Sequence, residues 1–244
     1  MPDVAAEDLE ETVRRADPDR WLASRFVADP QARADVVALY AFDHVLARVP
    51  AIVSEPLMGE IRLTWWSEAL DEIQGGGPVR SHPVSLALAE AVRRRGLDRA
   101  PLDAMVQARM GDLDACPFAD EAEALAYADQ TAGALMQAAA QALGAPAGLE
   151  AARLAGRAYG LSLMTHRRAI GAPTRLPDNL TPRRAGALVA EALHGARGGL
   201  GAVPVPAFPA VAYACLGRRY AKGAHLTALE KQLRLVWATA RGSL

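Results

Sequence analysis

The stretch "DPQARADVVALYAFDHVLARVP", residues 29–50, decides the fold. Its apolar residues recur at the three- and four-residue spacing of one helical face: Val36, Leu39, Tyr40, Val45, Leu46 and Val49. We expect this buried helix to end at Pro50, because proline has no amide hydrogen for the helical bond. Asp43 and Arg48 interrupt the apolar run, which is the pattern of a helix that lines a binding site.

The same periodicity continues along the chain. A helix is expected after the cap residue Ser54, with Leu57, Ile61, Trp65 and Ile73 on its inner face and the glycines of "QGGGP" at its end. Further helices are expected over residues 83–95, 101–115, 120–143, 149–170, 182–194, 209–221 and 226–241. The sequence has no runs in which β-branched and polar residues alternate, so it predicts an all-α bundle of roughly eight to ten helices.

Size and charge narrow the class of protein. The 244 residues are 51% hydrophobic, enough for one sizeable core, and we expect one globular domain over 17–244 after an acidic tail or helix over 1–16. Lysine and arginine number 27 against 28 acidic residues, so the overall charge gives no reason to expect nucleic acid as a partner.

The cysteines and the first residues bear on localisation. Cys116 and Cys215 lie far apart and lack metal-ligand spacing, which argues against a disulfide framework or a zinc site. The acidic first residues lack the apolar core of a signal peptide. Both features predict a cytoplasmic protein.

Residues 198–217 contain no charged side chain and are long enough to cross a bilayer. Pro204, Pro206 and Pro209 would break the helical hydrogen bonding that a membrane span requires. We therefore expect a loop that leads into a buried helix, with peripheral membrane contact as the alternative.

Several segments occur in an order that resembles a known family: "LYAFDHVLARV", "GEIRLTWWSEALDEI", "HPVSLALAEAVRRRGL", "YADQTAGALMQAAAQALG" and "AYGLSLMTHRRAIGAPTRLPDN". Together, from about Asp17 to Asn179, they resemble the squalene/phytoene synthases, enzymes that join two prenyl diphosphates head to head. The resemblance implies an isoprenoid-synthase-like bundle around a central cavity. The helix with Tyr40 to Val49 would face the helix of residues 149–170 across that cavity.

Catalytic members of this family hold magnesium ions with two aspartate-rich motifs. When the first motif is aligned on "YAF", its aspartates fall on Ala47, Arg48 and Ala51. When the second is anchored on the "LP" at residues 176–177, its aspartates fall on Met164 and Arg168.

The resemblance therefore implies that both metal motifs are lost. We expect no catalytic residue, no metal site and no cofactor, magnesium included. One nearby carboxylate, Asp43, cannot neutralise several magnesium ions, so we also expect no cluster of three or more carboxylates in the cavity.

The segments "IVSEPLMGEIRLTWWSEALDEI", "HRRAIGAPTRLP" and "PVPAFPA" resemble one branch of the family. This branch contains a mitochondrial respiratory complex I assembly factor and likewise lacks intact aspartate motifs. The resemblance implies a role in respiratory complex assembly, with an assembly protein as a partner and a location peripheral to the inner membrane.

Four basic residues are candidates for binding an anion: Arg48, His166, Arg167 and Arg168. If the facing helices bring them together, arginine forks could hold a diphosphate directly in place of magnesium. The alternative is that they reach solvent or pair with Asp43, Glu60 or Asp129.

A second group of residues is expected to line the cavity: Tyr40, Asp43, Trp65, Tyr127, Thr131, Gly133 and Met164. Trp65 and Trp66 are adjacent and point to different sides of their helix, so one belongs to the core and the other to the cavity. For the helix with Tyr127, Thr131 and Gly133, close helix packing is the alternative.

Three functions stay open. The first is a non-catalytic relative that binds a prenyl lipid or a protein partner in respiratory complex assembly. The second is an active prenyl-diphosphate synthase with unorthodox ligands such as Asp43, Glu55, Glu60 and Asp112. The third is a prenyl-diphosphate carrier. The missing aspartates favour the first.

Overall fold

The computed structural model describes residues 9–114 and 116–244, which form helices joined by short connections. The α-helical segments are α1 Leu9–Ala16, α2 Pro18–Ser24, α3 Pro30–Ile52, α4 Pro56–Gly75, α5 Pro83–Arg95, α6 Arg99–Met110, α7 Glu121–Ala128, α8 Ala134–Ala142, α9 Leu149–Ala169, α10 Pro182–Gly199, α11 Pro209–Ala212, α12 Gly217–Tyr220 and α13 Ala228–Arg241. No β-strand occurs within these two ranges. The predicted all-α class is confirmed.

These segments form eleven helices in the described part of the chain when continuous ones are counted together, because α7 continues into α8 and α11 continues into α12 through single turns. Eleven is one more than the upper end of the predicted range of roughly eight to ten, and α1 and α2 at the start are the two that were not among the helices predicted for residues 17–244. Residues 9–16 form a helix that packs on α3 through the buried Val13. The helix predicted over 101–115 ends at Met110 and passes into a 3₁₀ turn, and its predicted last residue lies outside the described residues.

Proline and short polar side chains set many of the helix starts. Proline occupies the first position of α2, α3, α4, α5, α10 and α11, where its missing amide hydrogen costs little. Asp29 caps α3 by accepting a hydrogen bond from the Gln31 amide (3.0 Å), and Thr227 and Glu230 form a capping box on α13. Gly76 ends α4 with a φ of 66°, a left-handed conformation that glycine adopts without strain.

Three local predictions on α3 and α4 are wrong. Helix α3 continues past Pro50 to Ile52, because the φ that the proline ring fixes is itself helical. Glu55, not Ser54, is the residue before α4. Leu57 and Ile61, expected on the inner face of α4, are exposed.

The buried face of α4 carries Leu63, Trp66 and Leu70 instead. Apolar residues occur on both sides of this helix, so periodicity alone does not select the side that packs. Trp66 is the core member of the tryptophan pair, and Trp65 is only half-buried.

The uncharged segment 198–217 begins as a largely exposed connection and then enters the core, as expected. It runs through three 3₁₀ turns and α11, and Ala207 to Ala214 are buried without a break. None of the helices in the described ranges has the length and apolarity that a bilayer crossing requires.

Helices α3 and α9 both contribute residues to the lining of a central pocket. Helix α9 also packs against α10 and against the continuous helix made by α7 and α8. Gly156 makes the second contact possible, because a Cβ there would lie 2.3 Å from the Ala132 carbonyl oxygen. The close approach of the two backbones fixes how α9 is placed beside the pocket.

Candidate functional site

The central pocket has a volume of about 500 Å³, within the range of small-molecule sites. It is lined by Asp17, Arg20, Asp43, Ala47, Pro50, Ala51, Arg109, Asp112, Tyr127, Thr131, Ala132, Gly160, Leu163, Met164, Arg167, Pro173, Thr174 and Arg175. The lining combines apolar side chains of α3 and α9 with charged side chains of α2, α6 and the segment after α9. A molecule with an apolar part and an anionic part would match both.

Five charged side chains form an alternating row that we call the arginine–aspartate chain: Arg20, Asp43, Arg109, Asp112 and Arg175. Arg20 donates to one Asp43 oxygen (2.6 Å), and Arg109 contacts the other (3.2 Å). Arg109 also donates to Asp112 (3.0 Å), which accepts from Arg175 through its second oxygen (3.0 Å). Each carboxylate in the chain is therefore held between two guanidinium groups.

Tyr127 and Asp17 extend this network at its two ends. The Tyr127 hydroxyl donates to Asp112 (2.7 Å) and accepts from Arg109 (2.6 Å). Asp17 caps α2 by accepting from the Arg20 amide (3.0 Å), and its other oxygen lies 3.2 Å from the Arg20 guanidinium. The charged groups are thus fixed from several helices at once.

The charges of the chain stabilise one another. Burial acts to raise the pKa of Asp43, but Arg20 and Arg109 outweigh it and hold this pKa below its usual value. Burial acts to lower the pKa of Arg109, and the neighbouring Tyr127, Asp43 and Asp112 outweigh it and raise this pKa. At neutral pH Asp43 and Arg109 are therefore both ionised.

Three tyrosine rings pack around the guanidinium group of Arg20. Its guanidinium carbon lies 5.9, 5.8 and 5.9 Å from the ring centres of Tyr40, Tyr159 and Tyr213. Cation–π attraction partly offsets the cost of burying this charge. The rings come from α3, α9 and the segment between α11 and α12, so Arg20 depends on distant parts of the sequence.

A π-helical turn, Asp129–Gly133, separates α7 from α8 beside the pocket. Such turns often occur at functional sites. Thr131 donates to the Tyr127 carbonyl (2.7 Å), while Asp129 is ion-paired with Arg153 (2.5 Å) and Arg157. The turn places Thr131 and Ala132 in the lining.

The structure brings five of the predicted site residues into the lining: Asp43, Tyr127, Thr131, Met164 and Arg167. Tyr40 is buried beside it, with its ring edge-on to Tyr213 at 6.2 Å. Trp65 and Gly133 lie elsewhere. Trp65 packs on Trp66 and His82 with Arg80 over its ring (4.7 Å), and Gly133 lies against the Arg153 backbone.

The four predicted anion-binding residues are not brought together around the pocket. Arg167 lines it, and its Nε donates to the Pro173 carbonyl (2.7 Å). Arg168 donates to the carbonyls of Leu176, Pro177 and Leu180 and so braces the connection to α10. His166 packs between Tyr220 and His225, and Arg48 is exposed on α3.

Sequence reasoning missed four charged residues of the lining: Asp17, Arg20, Arg109 and Arg175. A signal existed for Arg109 and Asp112, which are three residues apart and therefore share a helical face. Nothing local indicates that Arg20 or Arg175 reaches the same place, because both are positioned by tertiary contacts.

The donor set does not fit the magnesium cluster of the family's catalytic members. Three carboxylates, those of Asp17, Asp43 and Asp112, line the pocket. Their oxygens, however, are engaged by guanidinium groups. Across residues 9–114 and 116–244, no three His, Cys, Asp or Glu side chains converge on a point where a metal ion could be held.

The chain is similar in sequence to proteins named as assembly factors of complex I. The chain is 30% identical over 126 residues to "NADH dehydrogenase (ubiquinone) complex I, assembly factor 6" of Bos taurus, and 31% identical over 126 residues to its Homo sapiens counterpart. Each match covers 52% of this chain and 37% of the relative. The similarity therefore spans well under half the length of these relatives.

Solved structures of prenyl synthases have the same fold. A dehydrosqualene synthase in complex with ligand superposes with a TM-score of 0.77 at 14% identity, covering 97% of this chain and 95% of that one. The squalene synthase HpnC of Alicyclobacillus acidocaldarius gives 0.69 at 13% identity, with 97% and 94% covered. At such low identity the likeness concerns the fold alone.

A match to a protein-family model gives the evidence of family membership that the structural similarity does not give. The model is described as squalene/phytoene synthase, and it matches residues 13–172. This range includes α3, α9 and every charged residue of the pocket lining except Arg175. The match covers well over half of the sequence, and the chain therefore belongs to the squalene/phytoene synthase family.

Proposed function

We propose that this chain is a non-catalytic member of its family that binds an anionic prenyl or other lipid in the central pocket and acts in respiratory complex assembly. The observation that carries the proposal is the arginine–aspartate chain. Guanidinium groups occupy the carboxylate oxygens that a magnesium ion would need, so the pocket contacts an anion directly.

Electrostatics support direct anion binding. The lining contains four arginines and three aspartates, an excess of one positive charge. Three of the arginines are ion-paired and at least partly buried, whereas Arg167 is exposed. Arg167 is therefore the cation best placed to meet an incoming diphosphate or phosphate group, with Ala47, Ala51 and Leu163 available to the apolar part.

The assembly role rests on the relatives. Proteins named for complex I assembly match about half of this chain, and a pocket without a metal cluster fits such a role better than it fits prenyl transfer. We place the protein in the cytoplasm, peripheral to the inner membrane, with a respiratory-complex assembly protein as its partner.

Two alternatives differ in measurable ways. A synthase with unorthodox ligands would need Asp43, Glu55, Glu60 and Asp112 to act together, but Glu55 and Glu60 are exposed and outside the lining. A carrier would use the same pocket and release its ligand unchanged. The lining, apolar in part and cationic in part, is the observation that keeps the carrier as the second candidate.

A metal-free calorimetric titration with farnesyl diphosphate tests the proposal. We expect wild type to bind and Arg167→Gln to bind about tenfold or more weakly, because a hydrogen bond to a charged group contributes roughly 1.5–3 kcal/mol. Arg48→Gln is the matched control. It removes the same charge from an exposed position on α3 outside the lining, and it should bind like wild type.

The same titration with magnesium separates the synthase from the proposal. Unchanged affinity supports the proposal. Binding that requires magnesium, or formation of a coupled prenyl product, would establish the synthase. If neither protein binds the diphosphate, the pocket ligand is refuted and protein contact alone carries the assembly role.

A further inference from the structure

The helix α13 carries apolar residues on two opposite faces. Leu235 and Ala238 are buried against the rest of the bundle. On the other side Leu229, Leu233 and Trp237 are 65%, 60% and 60% exposed, and Val236 is 45% exposed. At about 100° per residue these four side chains share an arc of roughly 100° that points away from the buried pair. The bundle therefore uses one face of α13 and leaves the other uncovered.

Positive charge predominates in the part of the chain that carries α13, and Arg234 and Arg241 flank the exposed face on the helix itself. Residues 217–244 contain six lysines and arginines and only one carboxylate side chain, that of Glu230. Lys231 is turned inward to Asp19 (2.8 Å), which leaves five exposed cations: Arg218, Arg219, Lys222, Arg234 and Arg241. The whole chain has a formal charge of −1, so this concentration of cations is local.

A second exposed apolar group lacks this charge. Ile52, Leu57, Met58 and Ile61 are 45–61% exposed where α3 meets α4. The charged residues among positions 51–62 are Glu55, Glu60 and Arg62, so acidic side chains predominate there. The two surfaces are similar in hydrophobicity and opposite in charge, and each can serve as a control for the other.

We propose that the exposed face of α13 docks on the surface of an anionic lipid bilayer. A helix that presents leucine and tryptophan with flanking arginines lies in the headgroup region, where its apolar side chains enter the acyl boundary and its cations meet lipid phosphates. Tryptophan favours this interface, and the Arg241 guanidinium stacks over the Trp237 ring at 4.0 Å. The proposal extends the peripheral membrane location proposed above by naming the surface and the lipid charge.

Lipid is favoured over a protein partner because the exposed charged side chains of residues 217–244 are all basic. A protein interface that must match one partner usually mixes hydrogen-bonding groups and charges of both signs around its apolar centre. A bilayer requires only an apolar face, interfacial tryptophan and cations, and all three occur together here.

Vesicle cosedimentation of the full chain tests the proposal. We expect wild type to bind vesicles of phosphatidylcholine mixed with phosphatidylglycerol far better than vesicles of phosphatidylcholine alone, and to dissociate as salt is added. Leu233→Asp should lower the affinity about tenfold or more, because a leucine that enters the acyl boundary is replaced by a charge. Arg234→Gln should lower it by about fivefold, the contribution of one cation near an anionic surface.

Leu57→Asp is the matched control, since it makes the same change at an equally exposed leucine in the acidic patch, and it should bind like wild type. Arg167→Gln should also bind vesicles normally, which separates this proposal from the pocket ligand. Equal loss in Leu57→Asp and Leu233→Asp, or equal binding to both kinds of vesicle, would overturn the proposal. The proposal would also be overturned if wild type bound neither kind of vesicle and instead self-associated in sedimentation, and if Leu233→Asp abolished that self-association.

Discussion

Asp43 occupies the position on which the pocket's electrostatics depend, because it is buried and accepts from two arginines of different helices. Replacing it by asparagine leaves the shape almost unchanged but leaves Arg20 and Arg109 without their shared counter-charge. We expect Asp43→Asn to lower the free energy of unfolding by about 3–5 kcal/mol, as for other buried ion pairs that lose one partner. Denaturant unfolding monitored by circular dichroism measures this difference.

Glu90→Gln provides the control for Asp43→Asn. It is the same change of carboxylate to amide in a solvent-exposed pair with Arg93 (2.5 Å), and it should cost at most about 1 kcal/mol. Equal losses in the two variants would show that burial of the Asp43 pair adds nothing to stability.

The dependence of stability on pH provides a second test of the Asp43 ion pairs. Its pKa is lowered by folding, so the stability it provides is complete above its unfolded value of about 3.8 and is lost as the pH falls through the lower folded value. The wild type should lose this contribution below about pH 3.8, and Asp43→Asn should lack that part of the acid dependence.

Individual residues mark where prediction from sequence succeeds and where it fails. Asp43 and Met164 lie in the pocket lining, where the resemblance to the family put them, because α3 and α9 are long helices that the resemblance covers almost completely. Arg168 lies on the last turn of α9, where the chain beyond the helix folds back and captures its side chain. Arg20 was missed because three tyrosines from distant segments, not its neighbours, determine its position.

Helix α9 and the π-helical turn approach each other closely beside the pocket. A methyl group at Gly156 would meet backbone atoms of Ala132 and Gly133 at 2.3 and 2.6 Å, and backbone cannot move aside as a flexible side chain can. We expect Gly156→Ala to lower the free energy of unfolding by about 1–3 kcal/mol or more, despite the better helix propensity of alanine. Thermal and denaturant unfolding measure the change.

Gly186→Ala in α10 is the matched control, because nothing lies within 4 Å of a Cβ at that position. It should stabilise the protein by about 0.4–1 kcal/mol. The opposite signs expected for the same substitution isolate the steric effect. A Gly156→Ala variant as stable as wild type would mean that the two helices separate easily.

Whole helices were easier to predict than their orientation. Prolines and capping residues marked the starts of α5 and α10 correctly, because these signals depend only on neighbours in sequence. The inner face of α4 was predicted wrongly, since apolar residues occur on two sides of it and only the neighbouring helices decide which side is buried. The π-helical turn has no comparable signal in the sequence.

At the scale of the molecule, Asp19 joins the first helices to the last one. Its buried carboxylate accepts from the hydroxyls of Tyr159 (3.0 Å) and Tyr220 (2.6 Å), and it is ion-paired with Lys231 of α13. We expect Lys231→Met to lower the free energy of unfolding by roughly 1.5–3 kcal/mol, the contribution of a hydrogen bond to a charged group. Amide hydrogen exchange should accelerate in α13 more than in α10.

Lys222→Met is the control, because Lys222 is exposed on the turn after α12. It should leave stability and exchange close to those of wild type. Exchange in α13 that is equally slow in Lys231→Met would mean that Leu235 and Ala238 alone hold the helix in place.

The overall architecture was predictable because the resemblance extended over several ordered segments and each of them contains a helix. The site was predictable only in part. Its apolar side follows from α3 and α9, whereas its charged side is assembled from α2, α6 and the segment after α9. Sequence patterns indicate which face of a helix is apolar, but not which distant arginine will reach a given aspartate.

The three tyrosine rings around Arg20, those of Tyr40, Tyr159 and Tyr213, form a cage that also determines when the pocket can form during synthesis. A ribosome releases Arg20 early, but Tyr213 follows about 190 residues later, which at ~5–20 residues per second is a delay of roughly ten to forty seconds. During that interval the guanidinium group and its aspartates have no complete aromatic enclosure, and closing the long loop between them carries its own entropic cost. We infer that the pocket matures late in synthesis, when α11 and α12 arrive and complete the cage.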